Sequence, residues 1–227
     1  MNKDEQYLLK VENLAKSFQL ENQKIDILSK VNFQLERGKI HALIGPSGSG
    51  KSTLLTMLAG IDLPDRGDIY FNETNLTALS SAKRHAFRAK NIGFVFQQFH
   101  LIDHYTALEN AALFLEMMDD DKAEEKASSL LKEMGLEQRM NHFPTQLSGG
   151  ENQRVAIARA MVYGPELIIA DEPTGSLDLK TGQVITDLLF KLVREKNKTL
   201  LLVTHNEELA KQVDHLFEVK EGRICDV

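Results

Sequence analysis

The chain has 227 residues, 42% hydrophobic and 26% charged, with a formal net charge of −6. This is the profile of one large globular domain or of a core with an insertion. The negative charge argues against a nucleic-acid groove, which leans on Lys and Arg to neutralise phosphate, so no nucleic-acid partner is expected. The longest apolar runs, such as LIIA and TLLLV, are far too short to cross a bilayer. The polar, acidic opening MNKDEQ is no signal peptide. The single cysteine, Cys225, excludes an internal disulfide and fits a reducing compartment.

In chain order, the first clear element is a buried strand, GKIHALI at 38–44, running into a Gly-rich turn and the helix GKSTLLTMLAG. A second strand, IGFVF, lies at 92–96. Helical patterns follow at 106–118, 122–134 and 151–163, then the strand LIIA at 167–170, a helical pattern at 181–195, and the strand TLLLV at 199–203. Strands alternating with helices predict an α/β fold with a mostly parallel sheet. From 98 to 165 the pattern is nearly all helix. That stretch is expected to be a helical subdomain inserted into an α/β core built from 1–97 and 166–227, the whole forming one domain. Its most polar part, EMMDDDKAEEK at 116–126, reads as a solvated helix connection.

GPSGSGKS, Gly45 to Ser52, matches the G-x-x-x-x-G-K-[ST] phosphate loop at every fixed position, and it lies between a strand and a helix as that motif requires. Its glycines let backbone N–H groups turn towards phosphate, helped by the positive end of the following helix. Lys51 is placed to reach the β- and γ-phosphates, and the Ser52 hydroxyl to join a Mg²⁺ shell.

A nucleotide on a parallel sheet sits outside the carboxyl ends of the strands. Polar residues stand at those ends: Gln97 after IGFVF, Asp171 and Glu172 after LIIA, Thr204 and His205 after TLLLV. Asp171 suits the second shell of Mg²⁺. Glu172 can polarise a water aimed at the γ-phosphorus. Gln97 can position that water or touch the metal, and His205 can hydrogen-bond the γ-phosphate. Together they describe hydrolysis and not binding alone. His100 and His104 have the i, i+4 spacing of a metal pair, but no third ligand is evident.

LSGGENQRVAIARA, 147–160, raises a different question. Ser148-Gly149-Gly150-Glu151 is an S-x-x-E capping box, and Val155, Ala158 and Val162 share one inward face of the helix behind it. Two glycines at a positive helix end also suit an anion. Read alone, the segment leaves plain cap and anion site both open. Thr106 to Glu109 forms a similar box, read as a cap only.

At this point the chain resembles the ATP-binding-cassette ATPases. LSGGENQR looks like their signature motif, and the phosphate loop, Gln97, LIIADEP, SLD at 176–178 and His205 occur in that family's order, across essentially the whole chain. The resemblance implies a P-loop core, an N-terminal antiparallel β region and the inserted helical subdomain. It implies ATP and Mg²⁺ as ligands. The ATP contacts would come from Phe18, stacked on adenine, and from Gly45, Pro46, Ser47, Gly48, Ser49, Gly50, Lys51, Ser52 and Thr53. The metal would take Ser52, Gln97 and Asp171, with Glu172, His205 and Gln97 as the catalytic group. It further implies a head-to-tail homodimer on ATP binding, in which Ser148, Gly149 and Gly150 hold the γ-phosphate bound to the partner chain and Asp178 lies across the interface. Asn152, in ENQR where related chains often have QQQR or ERQR, is expected to point to solvent.

Lacking membrane spans, the chain would act on a separate integral membrane permease docking near 97–110. There Phe99, Leu101, Ile102, Tyr105 and Leu108 carry more apolar character than a solvent loop needs. It would thus be cytoplasmic, peripheral on the inner face of the membrane. FRAKNIGFVFQQFHLI, TALEN and DEPTGSLD resemble the lipoprotein-releasing, macrolide-efflux and cell-division subgroup of bacteria, whose transporters pair with four-span permeases. A lipoprotein-release or efflux role is preferred. A non-transport complex signalling to cell-wall enzymes is the alternative, and a soluble cassette acting on DNA or ribosomes is disfavoured by the absence of a coiled-coil insertion.

Overall fold

The computed structural model describes residues 6–20 and 23–227. In chain order the elements are β1 (Tyr7–Leu20), β2 (Gln23–Glu36), β3 (Ile40–Ile44), α1 (Lys51–Leu58), β4 (Arg66–Phe71), β5 (Thr74–Asn75), α2 (Ser81–Asn91), β6 (Ile92–Val95), α3 (Ala107–Met117), α4 (Ala123–Glu133), α5 (Gly149–Met161), β7 (Leu167–Asp171), α6 (Leu179–Glu195), β8 (Thr199–Val203), α7 (Glu207–Ala210), β9 (His215–Lys220) and β10 (Arg223–Asp226). Short 3₁₀ turns at Glu137–Arg139 and Pro144–Gln146 connect α4 to α5. No helix among the described residues is long and apolar enough to cross a membrane.

The strands form two sheets, β2-β1-β4-β5 and β10-β9-β3-β8-β7-β6. The first is antiparallel throughout. In the second, β9, β3, β8, β7 and β6 run parallel and β10 pairs antiparallel at the edge. Both β7 and β8 are almost wholly buried, which is why they read as unbroken apolar runs and not as alternating ones.

Alternation is still present, but it divides two cores instead of core and solvent. Side chains on a strand point to opposite faces in turn. Ile40, Ile168, Ala170, Leu200 and Leu202 join one cluster with Val155, Ala158, Ile185, Leu189 and Val193 of the helices. Leu43, Leu167, Ile169, Leu201 and Val203 join the other, with the antiparallel sheet and Leu54, Leu55 and Leu58 of α1. The parallel sheet is therefore the middle layer. Its strands are packed from both sides, which fixes where the loops at their ends begin.

The capping boxes at Thr106–Glu109 and Ser148–Glu151 both form, each with the side-chain oxygen accepting from the glutamate N–H three residues on and the glutamate carboxylate accepting from the cap N–H. α5 begins at Gly149, so both glycines lie inside its first turn. Asn152 does not point to solvent. Its amide nitrogen donates to Pro144 O at 3.0 Å, tying the first turn of α5 to the loop before it, and its Oδ1 is buried. It adds a second donor to a carbonyl that already accepts from Leu147 N–H at 3.2 Å, a contact that sequence spacing alone does not reveal.

Candidate nucleotide site

The loop from Gly45 to Gly50 leaves the end of β3 and opens α1. Gly50, the cap of α1, has φ +98°, and a Cβ there would stand 2.8 Å from Ile27 Cγ2. The left-handed backbone and the antiparallel sheet packed behind the loop both require glycine at that position. The Lys51 ammonium donates to Gly45 O at 2.8 Å and Pro46 O at 2.9 Å, so the cation lies against the start of the loop. Ser49 Oγ is buried with no protein partner. Pro46, Ser47 and Gly48 are exposed at the rim, Ser52 is exposed on the first turn of α1, and Thr53 beside it is half-buried. The loop thus presents a helix N-terminus, a lysine and an unsatisfied hydroxyl together, which fits a polyphosphate.

The parallel register puts the other strand ends beside it. Asp171 ends β7, paired with Val203 of β8. Burial raises the Asp171 pKa, the neighbouring Glu172 raises it further, and Lys51 opposes both. Glu172 follows at φ 45°, a conformation that costs a non-glycine residue roughly 1–3 kcal/mol. It is held there by its own N–H donating to Val203 O at 2.9 Å and by Gly175 N–H donating to its carbonyl at 3.0 Å. The strained turn aims the carboxylate at His205, with Oε2 and Nδ1 3.2 Å apart. Gln97 leaves the end of β6, and Ser176 Oγ donates to its carbonyl at 3.3 Å.

Gly175 carries no role in the sequence reading, yet the site depends on it. A Cβ there would lie 2.9 Å from Gln97 Nε2 and 3.3 Å from Glu172 Oε2. A side chain at 175 would part those two groups. Only the turn geometry reveals this, because glycine in DEPTGSLD reads as an ordinary loop residue.

Ser52, Gln97 and Asp171 supply oxygen donors, the hard set that Mg²⁺ takes, and Mg²⁺ characteristically uses few protein ligands and completes its shell with phosphate and water. No cluster of three or more His, Cys, Asp or Glu suited to a metal exists among the described residues, so His100 and His104 gain no third ligand. Phe18 is 46% exposed near the end of β1, with Lys16 Nζ 5.3 Å from its ring centre, and offers a flat face for stacking.

The second glycine pair opens α5 beside the loop that follows Glu172, where a Cβ on Gly149 would stand 3.1 Å from Leu177 Cδ2. Ser148 and Gly149 are exposed. Gly150 is buried, and a Cβ there would stand 2.7 Å from Thr181 Cγ2 of α6. Asp178 caps α6, its Oδ1 accepting from Thr181 N–H at 3.0 Å. One glycine of the pair therefore serves packing within the chain while its neighbour keeps an open N-terminus.

The family model for the ABC transporter matches residues 28–175. The chain belongs to the ABC transporter family. As an ABC cassette it binds ATP and is an ATPase. An uncharacterised ABC transporter ATP-binding protein of Methanocaldococcus jannaschii is 41% identical over 222 residues, 97% of this chain and 99% of that one. Among solved structures, the chain is similar to the dimeric ABC cassette MJ0796 in a post-hydrolysis state with ADP and Pi, with a TM-score of 0.87, 39% identity and coverage of 96% and 97% of the two chains. It is also similar to cbiO1 of Clostridium perfringens, part of the complex cbiONQ, with a TM-score of 0.87, 30% identity and coverage of 97% and 87%.

Proposed function

We propose that this cassette drives a separate integral membrane permease by closing on ATP as a head-to-tail homodimer. The observation that carries this is an apolar groove of about 420 Å³ beside the Gln97 loop, lined by Phe94, Phe96, Leu113, Phe114 and Met117, with Arg88 and Arg159 at its sides. Phe96 directly precedes Gln97, and Met117 is 73% exposed. A short permease helix seated there would touch the residue next to the one that senses the γ-phosphate. Within 99–108, Leu101 and Leu108 pack on the helical core. The docking surface thus lies beside 97–110 more than on it.

In this reading the phosphate loop from Gly45 to Ser52, with Thr53, cradles ATP, Lys51 offsets phosphate charge, and Phe18 stacks on adenine. Mg²⁺, held through Ser52, Gln97 and Asp171, supplies charge neutralisation when bound. Glu172 takes the proton of the attacking water, Gln97 orients that water, and His205 holds the γ-phosphate and the Glu172 carboxylate in one frame. Ser148, Gly149 and Gly150 complete the site of the second copy, with Asp178 at the interface. The dimeric state of MJ0796 supports this arrangement. Residues 98–165 act as a subdomain that carries the Ser148 end against the 1–97 and 166–227 core. The chain works in the cytoplasm, on the inner face of the membrane. FRAKNIGFVFQQFHLI and DEPTGSLD favour a lipoprotein-release or efflux transporter.

A cross-link tests it. In a Cys225→Ser background, Met117→Cys carries a bifunctional thiol reagent in membranes from expressing cells. A covalent adduct to a polytopic membrane protein is expected. Adducts only to soluble proteins, or none, contradict the docking assignment.

A further inference from the structure

α5 carries the signature glycines at its first turn and Arg159 in its last. Arg159 is half-buried beside the groove, and no ion pair to it exists among the described residues. Its guanidinium is satisfied by backbone instead: NH2 donates to Phe99 O at 2.8 Å and NH1 to His100 O at 2.6 Å. A charged fork on two successive carbonyls is a strong, directional grip. His100 sits at φ 47°, so the carbonyl pair is presented by a left-handed kink that the grip helps to hold.

The gripped loop begins at Gln97, whose carbonyl accepts from Ser176 on the opposite side. The Phe99 ring reaches the other end of the same helix, where a Cβ on Gly149 would be 3.9 Å from Phe99 Cζ and 3.1 Å from Leu177 Cδ2. The 97–100 loop therefore touches α5 at both ends, through a side chain at the first turn and through carbonyls at the last.

We propose that Arg159 is a positioning residue that locks the Gln97 loop to the signature helix, so that a partner seated in the groove moves both together. It touches neither nucleotide nor water and acts through Gln97. The proposal rests on the catalytic role given to Gln97 above.

A double-mutant cycle on the purified full chain tests it, using steady-state MgATP hydrolysis and titration with a fluorescent ATP analogue. Arg159→Met keeps the stem and removes the fork. It is expected to lower kcat by about tenfold, with analogue binding to the monomer changed less than about twofold. Arg159→Lys, which keeps charge but cannot span both carbonyls, should fall between Arg159→Met and the parent and serves if Arg159→Met fails to fold. In a Gln97→Ala background the same Arg159 substitution should change kcat by less than about twofold, because the group it positions is gone. Multiplicative effects of the two substitutions, or parallel losses of binding and kcat, overturn the proposal. A Gln97→Ala chain with undiminished kcat overturns the role of Gln97 itself, and this proposal with it.

Discussion

Glu172 Oε2 and His205 Nδ1 stand 3.2 Å apart at the ends of neighbouring parallel strands, β7 and β8. The glutamate reaches that position only through its left-handed backbone, and the imidazole fixes one of its oxygens. Replacing His205 by Ala should free the carboxylate and remove a phosphate contact. A fall in kcat of about a hundredfold is expected, within the range for losing one donor that stabilises developing charge. Affinity for MgATP, read by titration, should change little. A kcat near the parent's would show that Glu172 needs no support from His205.

Gly150 makes a prediction of the opposite kind, about packing and not chemistry. A methyl at 150 would meet Thr181 Cγ2 at 2.7 Å. Gly150→Ala should therefore lose about 1–3 kcal/mol through overpacking, partly offset by the better helix propensity of alanine. Thr181→Ser removes the opposing methyl and should restore most of the loss in the double variant, measured by urea unfolding. No rescue would mean that the clash is not the cause.

His41 gives a pH dependence with a definite sign. The residue is fully buried on β3, stacked on His215 at 5.0 Å, with Nε2 donating to Glu36 O at 3.1 Å and Nδ1 without a partner. Burial lowers its pKa from 6.5 to about 4, the Glu36 carbonyl opposing that shift, with His215 lowering it and the charges of Glu36 and Asp214 raising it. The unfolded chain takes up this proton first, so stability is complete above about pH 6.5 and falls as pH drops towards 4. About 2 kcal/mol should be gone by about pH 5. His41→Phe should flatten that part of the curve in urea titrations at several pH values; an unchanged slope would assign the effect to another group.

Much of this was legible in the sequence. Strands β3, β6, β7 and β8 read clearly because burial on both faces leaves unbroken apolar runs, and α3, α5 and α6 read clearly from caps and apolar spacing. By contrast, α2 is invisible to apolar periodicity. It is a polar segment whose packing rests on Phe87, at 5.1 Å from Phe71, and on Arg84, buried with its Nε donating to Gly60 O at 3.1 Å. In the candidate site, Asp171, Glu172 and His205 were marked by residue type at strand ends, and the structure brings Glu172 and His205 together there. Gly175, Arg159 and Asn152 were not, because each acts by where it sits: under two side chains, beneath a loop's carbonyls, or back across a turn.

Ser148 separates its two duties by substitution. Its hydroxyl accepts from Glu151 N–H at 3.3 Å, so Ser148→Ala should cost the cap, about 1 kcal/mol of stability. Ser148→Arg loses the same cap and also blocks the exposed helix end. It should abolish hydrolysis while the monomer still binds ATP within about twofold of the parent. Loss of monomer binding in Ser148→Arg would place the signature end in its own chain's site.

The central claim is closure of two copies around ATP, with Glu172 as the base. Sedimentation of Glu172→Gln at saturating ATP and Mg²⁺ reads it most directly. The account predicts a stable dimer that dissociates when ATP is replaced by ADP, with hydrolysis reduced by about a hundredfold or more. A chain that remains monomeric under those conditions, or one that hydrolyses ATP at the parent rate, would contradict it.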